Sequence, residues 1–340
     1  MADARTLPSD LFVPQVALDM FQVEFVTSLQ AMKFFGLSPN FPVYIRGFDV
    51  LSQQGQFIEA PVLSRIASLD TARDITSDVD VDTLKVGSRN DRGVLINRKL
   101  GPVSLTATAA ALAKTTSEGV SAAIGQQMAR SMQETIQQYV IAALKGAISK
   151  MTSTLHTKAV WSATVRTNLT TSLLAQLKAL LGDSTESIVG WIMRSEVYNT
   201  DLITSNLGAG VTGIADVVGN GGPAQTLGIP YALVDDSNLT TADGGFDKYY
   251  TLGLGAGCIE VEFTRPLVIY PPERRLKSEN VEDVIRGDYD FAIRIPGFQW
   301  SNAQANPSVA NCAATTYWTV GYADHREVKA VLGEHNYSGN

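Results

Sequence analysis

The sequence predicts an α+β fold in which one long helix crosses a body of short strands. A proline-free run with apolar residues four positions apart extends from Glu118 to about Met151, as is typical of a long helix. Apolar runs broken by glycine and proline fill residues 51–105 and 228–300, as is typical of strands. Helices and strands do not alternate regularly enough for a doubly wound parallel sheet, so the α+β class is favoured.

Composition limits the classes of protein that this chain can represent. With 340 residues, 45% of them hydrophobic and 18% charged, the chain can form about two folded domains. The formal net charge of -7 disfavours tight nucleic-acid binding over the whole surface, although local basic patches stay open. The two cysteines, Cys258 and Cys312, form no C-x-x-C spacing, so neither a disulfide framework nor a cysteine zinc site is predicted.

Residues 1–50 admit two interpretations. The run from Asp19 to Phe35 is apolar enough for a short helix before Gly36. Because exposed aromatics in a row are costly, this segment needs a surface to lie on: a neighbouring subunit gripped by an arm, or the chain's own core. There is no signal-peptide pattern and no run of about 18 apolar residues, so we expect a chain made and used in soluble form inside a cell, without a membrane partner.

Residues 51–105 are predicted to form a long two-stranded arm whose charges are sorted along the chain. Aspartates come first and basic residues follow, so one limb is acidic and the other basic. Opposite charges on two limbs suit pairing with a neighbouring copy, because charge complementarity fixes register. The alternative is an isolated run of surface charge. The candidate contact residues are Asp74, Asp78, Asp80, Asp82, Lys85, Arg89, Arg92 and Arg98.

The triplet Asp78-x-Asp80-x-Asp82 also invites a calcium interpretation. It lacks the glycine and the distal glutamate of an EF-hand loop, and Val79 and Val81 alternate with the acids as they would on a strand. A solvated strand face is therefore favoured over a metal site.

The long helix carries a capping-box pattern at Thr115 to Glu118 and spans roughly 50 Å. Its main apolar row recurs every four residues, and at about 100° per residue such a row drifts around the helix. Different layers of the helix should therefore touch different faces of the body, as in a strut laid across a domain. A coiled coil would need sustained heptads, which are absent.

Residues 152–275 are predicted to form an α+β unit, with a helix near 169–183, a buried strand near 186–195, glycine-rich loops and further strands. Residues 276–300 return as strands. The last forty residues are polar and small with one strand-like run, TTYWTVGYA, and are interpreted as an appended tail.

No catalytic constellation is found. His156, His325 and His335 are scattered, and neither a P-loop nor a nucleophile elbow occurs. A strand pattern follows Gly253-x-Gly255-x-Gly257, so close packing or turns explain these glycines better than a nucleotide site. Asp235-Asp236 is interpreted as turn chemistry. We therefore expect a protein that is not an enzyme, with no catalytic, cofactor-binding or metal residues.

Three motifs, TLGIPYALVDD, YYTLGLGAG and GDYDFAIRIPGFQW, follow one another after the arm-like zone and the long helix. In this order they resemble the major capsid protein of tailed bacteriophages, a fold shared with encapsulin shells. The resemblance implies the following parts: an N-terminal arm (1–50), an extended E-loop (51–105), the spine helix of the P-domain (106–151), mainly an inserted A-domain (152–275), return strands of the P-domain (276–300) and a C-terminal extension (301–340).

The resemblance also implies a function. The chain would be a structural protein, the major capsid subunit that self-assembles into pentamers and hexamers of an icosahedral shell enclosing viral double-stranded DNA. Glycine-rich loops at Gly208–Gly222 and Gly244–Gly257 would lie at the capsomer centre. Partners would be other copies of the chain, a separate scaffolding protein, the portal, decoration proteins, and packaged DNA through weak non-specific contact.

The implied location is the virion, after assembly in the host cytoplasm, and no cofactor is implied. Two alternatives stay open: an encapsulin-like compartment shell, or a soluble α+β enzyme. The N-terminus is expected to separate the first two, because encapsulins begin with a helix and phage subunits with an extended arm. Pro8 and Pro14 favour the arm.

Overall fold

Helices and strands of this computed structural model are given for the residues that it describes, which are 13–31, 34–46, 57–63, 88–106, 117–151, 155–182, 187–202, 225–226, 228–242, 245–276, 281–301, 303–321 and 325–337. The helices are α1 (Pro14–Ala31), α2 (Ser117–Lys150), α3 (Thr171–Ala179), α4 (Ser195–Val197) and α5 (Val309–Ala313). The strands before α3 are β1 (Phe35–Gly36), β2 (Val43–Arg46), β3 (Phe57–Leu63), β4 (Ser88–Thr106) and β5 (Thr157–Ala159). Those after it are β6 (Ile188–Met193), β7 (Gln225–Thr226), β8 (Ile229–Leu233), β9 (Thr240–Thr241), β10 (Lys248–Gly255), β11 (Ile259–Ile269), β12 (Glu273–Leu276), β13 (Val281–Arg294), β14 (Phe298–Trp300), β15 (Trp318–Val320) and β16 (Ala330–His335).

Helix α2 runs for 34 residues through the centre of the molecule, as its proline-free sequence predicted. Near its start Gly125 lies against the backbone of Ala17 in α1. In its middle the ring of Tyr139 meets Phe291 of β13 edge to face at 5.7 Å. Near its end Lys145 Nζ donates to the carbonyl oxygen of Asn238 at 3.0 Å. The neighbours change along the helix, so the strut prediction is confirmed.

The first sheet has the strand order β1-β2-β11-β13-β4-β3, with β12 pairing to the outer part of β13. β2 runs parallel to β11, whereas β11 and β13, β13 and β4, and β4 and β3 pair antiparallel. Val94, Ile96, Phe291 and Ile293 are fully buried and belong to the core cluster that includes most of the buried residues of α2. One face of this sheet is therefore buried in the core.

The second sheet has the order β5-β16-β10-β6-β8-β7, with β9 pairing to β10. Its strand β10 is buried on both sides, and Gly253 lies so close to Trp191 that an added Cβ would be 2.6 Å from the indole ring. The prediction of a loop at Gly244–Gly257 is therefore wrong for residues 248–255, because they form a central strand. The close-packing interpretation of the GLGAG run is confirmed, because a side chain at Gly253 has no room.

The N-terminal segment belongs to the body of the molecule rather than to an arm. Pro14 is the first residue of α1, where a missing backbone N–H costs nothing. Phe34 and Phe35 are buried, and β2 supplies the buried Val43 and Ile45 to the first sheet. The assignment of residues 1–50 to an arm is thus wrong for 14–46, and the core interpretation is confirmed there; residues 1–12 lie outside the described part.

The last forty residues are not an appended tail. β16 pairs with both β10 and β5 inside the second sheet, and Val331 and Leu332 are fully buried. Trp318 is buried as well and donates its indole N–H to the carbonyl oxygen of Cys312 at 2.8 Å. The assignment of residues 301–340 to an extension is therefore wrong, because this segment completes the core.

The boundary at residue 275 also changes. β11 and β12 follow β10 in the chain but lie in the first sheet, where β11 pairs with β2 and β13. The second sheet is therefore built from residues 157–255 together with 330–335. No helix in the described part of the chain is long and apolar enough to cross a membrane.

Candidate subunit interface

Strands β3 and β4 form a two-stranded ribbon at one end of the first sheet. β3 pairs with β4 from Leu63↔Ser88 to Phe57↔Val94, whereas β13 pairs with β4 only from residue 94 onward. The far half of β4 thus continues past the end of β13 with β3 as its ladder partner. This is the described part of the arm predicted for residues 51–105.

The predicted contact residues fall into three groups. Asp74, Asp78, Asp80, Asp82 and Lys85 lie outside the described residues. Arg89 is in β4 opposite Val62, and its side chain is not described. Arg92 and Arg98 have described side chains.

Arg92 is used within the ribbon itself. Its guanidinium contacts Glu59 Oε1 on β3, at 2.6 Å from Nε and 2.5 Å from an outer nitrogen. Both side chains are partly exposed, so this pair contributes at most about 1 kcal/mol. Arg92 therefore fixes the register of β3 and β4 within one chain, and the structure does not present it as a free cation for a neighbour.

Arg98 lies at the rim of a charged groove on the first sheet. Its guanidinium is 5.6 Å from the centre of the Tyr139 ring on α2, and its strand partner Tyr289 is buried, so the Arg98 side chain lies on the α2 face of the sheet and only its backbone borders the groove. The groove has a volume of about 590 Å³ and lies over β4, β11 and β13. Its lining residues are Asn97, Arg98, Lys99, Gly101, Arg265, Arg286, Asp288 and Asp290.

Strand register explains why these charges meet. Lys99 lies directly opposite Asp288, and Asn97 lies opposite Asp290, whose other neighbour across the sheet is Arg265. Directly opposed residues point to the same face, so positive and negative side chains alternate over three strands. On this face three basic side chains, Lys99, Arg265 and Arg286, stand against two acidic ones, Asp288 and Asp290, which leaves the groove slightly positive.

Ion pairs hold part of this pattern in place. Arg286 binds Asp288 through two nitrogens, at 2.8 and 2.7 Å. Hydrogen bonding from Arg286 lowers the pKa of Asp288, whereas burial raises the pKa of Asp290. Arg265 lies 3.9 Å from Asp290 and donates to the hydroxyl of Tyr270 at 2.9 Å. Lys99 is exposed and forms no ion pair within the described residues.

Sequence reasoning singled out Arg98, which borders the groove, but none of the charged side chains inside the groove as contact residues. Arg265 was not singled out, and the alternating Arg286, Asp288 and Asp290 were read only as a strand. The signal was present, since residues two apart on a strand share a face. What the sequence does not show is that β4, β11 and β13 are neighbours.

Other titratable groups have contacts within the chain. His156 and His325 approach to 3.3 Å between ring nitrogens, and burial lowers the pKa of His156. Burial also lowers the pKa of Lys145 to about 8. Asp235 accepts hydrogen bonds from Ser195, and Asp236 caps the turn at 237–239, so the turn interpretation of this pair is confirmed. Within the described residues no three metal-ligating side chains come together.

The predicted capsomer-centre loop at Gly208–Gly222 lies outside the described residues. What the described part offers is therefore a charged surface suited to a complementary surface, built on a ribbon and a groove of the first sheet.

Comparison with known proteins gives the family. A family model described as major capsid protein 13-like matches residues 48–332. The capsid of cyanophage Pam1 has a similar fold, with a TM-score of 0.59, 12% identity, and coverage of 90% of this chain and 92% of that chain. The capsid of Ralstonia phage GP4 is also similar, with a TM-score of 0.56, 11% identity, and coverage of 91% of this chain and 90% of that chain. No curated protein sequence matches this chain.

A third capsid, from Helicobacter pylori bacteriophage KHP30, has a TM-score of 0.51 and 9% identity, covering 89% of this chain and 90% of that chain. Identities this low show the fold, and the predicted capsid-protein fold is confirmed. The family match continues to residue 332, so the C-terminal strands are part of the family's own region.

The family match also bears on whether the N-terminus separates encapsulins from phage capsid subunits. Helix α1 was the feature expected of encapsulins, yet the family model is that of a capsid protein, so a helical N-terminus does not separate the two classes. With most of the chain matched by that model and the fold shared with phage capsids, the chain belongs to the major capsid protein 13-like family and is a capsid structural subunit.

Proposed function

We propose that this subunit assembles with copies of itself into pentamers and hexamers of an icosahedral shell that encloses double-stranded DNA, without catalysing a reaction. The observation that carries the proposal is the β3–β4 ribbon, which extends past β13 and leads into the sorted charges of residues 70–99. Among the described residues the far half of this ribbon pairs with no third strand, and such a ribbon is suited to lie on a neighbour.

The parts of the subunit are assigned with corrected boundaries. The ribbon is proposed as the E-loop, and α2 with the first sheet as the P-domain. The second sheet, residues 157–255 with 330–335, is proposed as the A-domain that faces the capsomer centre. Packing of α1 and β2 into the core supports placing residues 14–46 with the P-domain.

Asp74, Asp78, Asp80, Asp82, Lys85, Arg89 and Arg98 remain the proposed contact residues between copies. Arg92 keeps a supporting role, because its bond to Glu59 stiffens the ribbon that carries the others. A separate scaffolding protein, a portal and decoration proteins complete the proposed partners, with assembly in the host cytoplasm. The net charge of -7 suits a shell that encloses DNA without gripping it.

Electron microscopy of the purified protein tests the proposal. Uniform shells or capsomer rings are expected, and nucleic acid inside shells from infected cells would separate a virion from an enzyme compartment. A monomer that stays compact at high concentration would overturn the proposal. Expression of this chain alone tests the scaffolding requirement, because correct closed shells without a second protein would contradict it.

Neutralising the acidic limb tests the contact residues. The triple change Asp78→Asn, Asp80→Asn and Asp82→Asn should leave the monomer folded and weaken assembly, because it removes charge without touching the core. Circular dichroism and sedimentation measure the two effects. Glu273→Gln, an exposed acid on β12, is the matched control and should assemble as the unmodified chain does. Normal assembly of the triple variant would remove the acidic limb from the interface.

A further inference from the structure

We propose that His156 and His325 form a two-histidine binding site for a divalent transition-metal ion of the zinc type. The two residues are 169 positions apart in the sequence, yet the fold brings their rings together edge to face. The site goes beyond the proposed function, and it is complete within one copy of the chain.

A backbone hydrogen bond decides which ring nitrogen of His156 carries a hydrogen. Its Nδ1 lies 2.6 Å from the carbonyl oxygen of Ala330, and a carbonyl oxygen only accepts, so Nδ1 is the donor. Burial lowers the pKa of His156, so the ring is neutral and its Nε2 carries a lone pair. A histidine that donates from Nδ1 to a backbone carbonyl is held in the orientation that metal-binding histidines use.

The second nitrogen of His156 points to the other ring at a separation that suits a shared ion. His156 Nε2 lies 3.3 Å from His325 Nδ1, and the ring planes are inclined by 79°. A direct hydrogen bond of this length would be long, since N–H···O bonds usually span about 2.7–3.2 Å. Two nitrogens that bind one tetrahedral Zn²⁺ at about 2.0–2.1 Å lie about 3.3 Å apart, because they form one edge of the tetrahedron.

Exposure and ligand number define the kind of site. His156 is fully buried and His325 is partly exposed, so an ion reaches the pair from the side of His325, where water completes its coordination. In the described part of the chain no third imidazole, thiolate or carboxylate joins the pair. Two imidazoles suit Zn²⁺, Cu²⁺ or Ni²⁺, whereas Ca²⁺ and Mg²⁺ prefer oxygen ligands.

The two ligands belong to neighbouring parts of the second sheet. His156 directly precedes β5, and His325 begins the turn at 325–327 that leads into β16. β5 and β16 are parallel neighbours in that sheet. A bound ion therefore ties the turn to the start of β5 and stabilises the folded chain, because it binds the folded state and has no preformed site in the unfolded one.

Isothermal titration calorimetry of the chelator-treated chain without an affinity tag tests the site, with Zn²⁺ alone as the probe. One Zn²⁺ should bind per chain. His325→Gln removes the partly exposed ligand and should lower the affinity at least tenfold, with an unchanged circular dichroism spectrum. His335→Gln is the matched control, because the third histidine uses its ring nitrogens on Thr251 and Asn336 and should not affect Zn²⁺ binding.

Nuclear magnetic resonance of the ¹⁵N-histidine-labelled chain gives a measurement that a merely structural role would not move. Zn²⁺ should shift Nε2 of His156 and Nδ1 of His325 and leave both nitrogens of His335 unchanged. The thermal midpoint of the unmodified chain should also rise with Zn²⁺ concentration, and that of His325→Gln should not. Cys258 and Cys312 are buried, so they do not compete for the ion.

Three results would overturn the inference: no Zn²⁺ binding at all, equal binding by His325→Gln and the unmodified chain, or histidine resonances that stay unmoved while Zn²⁺ binds. Loss of binding in the variant with Asp78, Asp80 and Asp82 changed to asparagine would place the ion on the acidic triplet and refute the histidine site as well. Each of these results leaves the proposed assembly standing, because electron microscopy of the unmodified chain judges it independently.

Discussion

Replacing Gly125 with alanine should loosen α1 from α2. An ideal Cβ at this position would lie 3.0 Å from the carbonyl carbon of Ala17 and 3.1 Å from its Cα, and it would overlap the carbonyl oxygen. Ordinary contacts between carbon atoms are about 3.5–4.0 Å. The obstacle is helix backbone rather than a flexible side chain, so α1 as a whole has to move.

Two effects of opposite sign decide the magnitude. Alanine is favoured over glycine inside a helix by about 1 kcal/mol. Overpacking of a filled contact costs about 1–3 kcal/mol, and a backbone contact belongs to the upper half of that range. We therefore expect Gly125→Ala to lower the free energy of unfolding by about 1–2 kcal/mol, although local propensity alone predicts a gain.

Urea unfolding of the dissociated subunit measures the change, and limited proteolysis of α1 locates it. Ala123→Gly, two residues away and exposed on the same helix, measures the propensity difference in this helix without the steric contact. It should cost about 1 kcal/mol. If Gly125→Ala proves about 1 kcal/mol more stable than the unmodified chain, α1 is not packed on α2, and the placement of residues 14–46 in the core is refuted.

Three further predictions concern the core and its response to pH. Ile136→Asp should abolish folding, since it buries an unpaired carboxylate in α2, while Gln138→Asp on the exposed face should express in soluble form. Ending the chain after Trp300 should leave it insoluble, because β10 loses β16; a soluble, cooperatively unfolding product would contradict this. Burial lowers the pKa of His335 to about 4 against 6.5 unfolded, so protons favour the unfolded chain. The contribution of His335 to the free energy of unfolding should therefore fall by about 2 kcal/mol from pH 8 to pH 5. Urea titrations at both pH values test this, and His335→Asn should show the smaller loss.

Local signals carried most of the prediction of α2. Its caps, its propensities and its apolar row all lie within one continuous stretch, so nothing distant had to be known. The turn at Asp235 and Asp236 was predictable for the same reason, because an aspartate caps the backbone next to it.

The prediction missed β16 because the strand pairs with a distant part of the chain. The strand has six residues in a polar neighbourhood, and its main partner β10 lies some eighty residues earlier in the chain. The N-terminus failed for a different reason. Pro14 was taken to favour an extended arm, but at the first helical position its fixed φ is already helical.

The groove could be predicted only in part. Lys99 belongs to a charge run that stands out in the sequence, whereas Arg265 and Arg286 join it through strand neighbours set by the topology. A sequence pattern gives the face on which a side chain lies, but the order of strands decides which faces become one surface.

The charge pattern of the first sheet also fits the demands of shell assembly. The core consumes one face of this sheet, and the opposite face at β4, β11 and β13 carries alternating acids and bases instead of a large apolar patch. Exposed ion pairs contribute only about 0–1 kcal/mol each, so a wrongly placed copy can dissociate before further contacts hold it. If this face contacts other copies, as proposed, the sum of such pairs over many copies would hold a correct shell, and their alternation would reject a shifted register. A surface of weak, directional contacts is therefore better suited to a closed shell than a single strong apolar interface, and this is why changes of charge in the groove should alter assembly before they alter the fold.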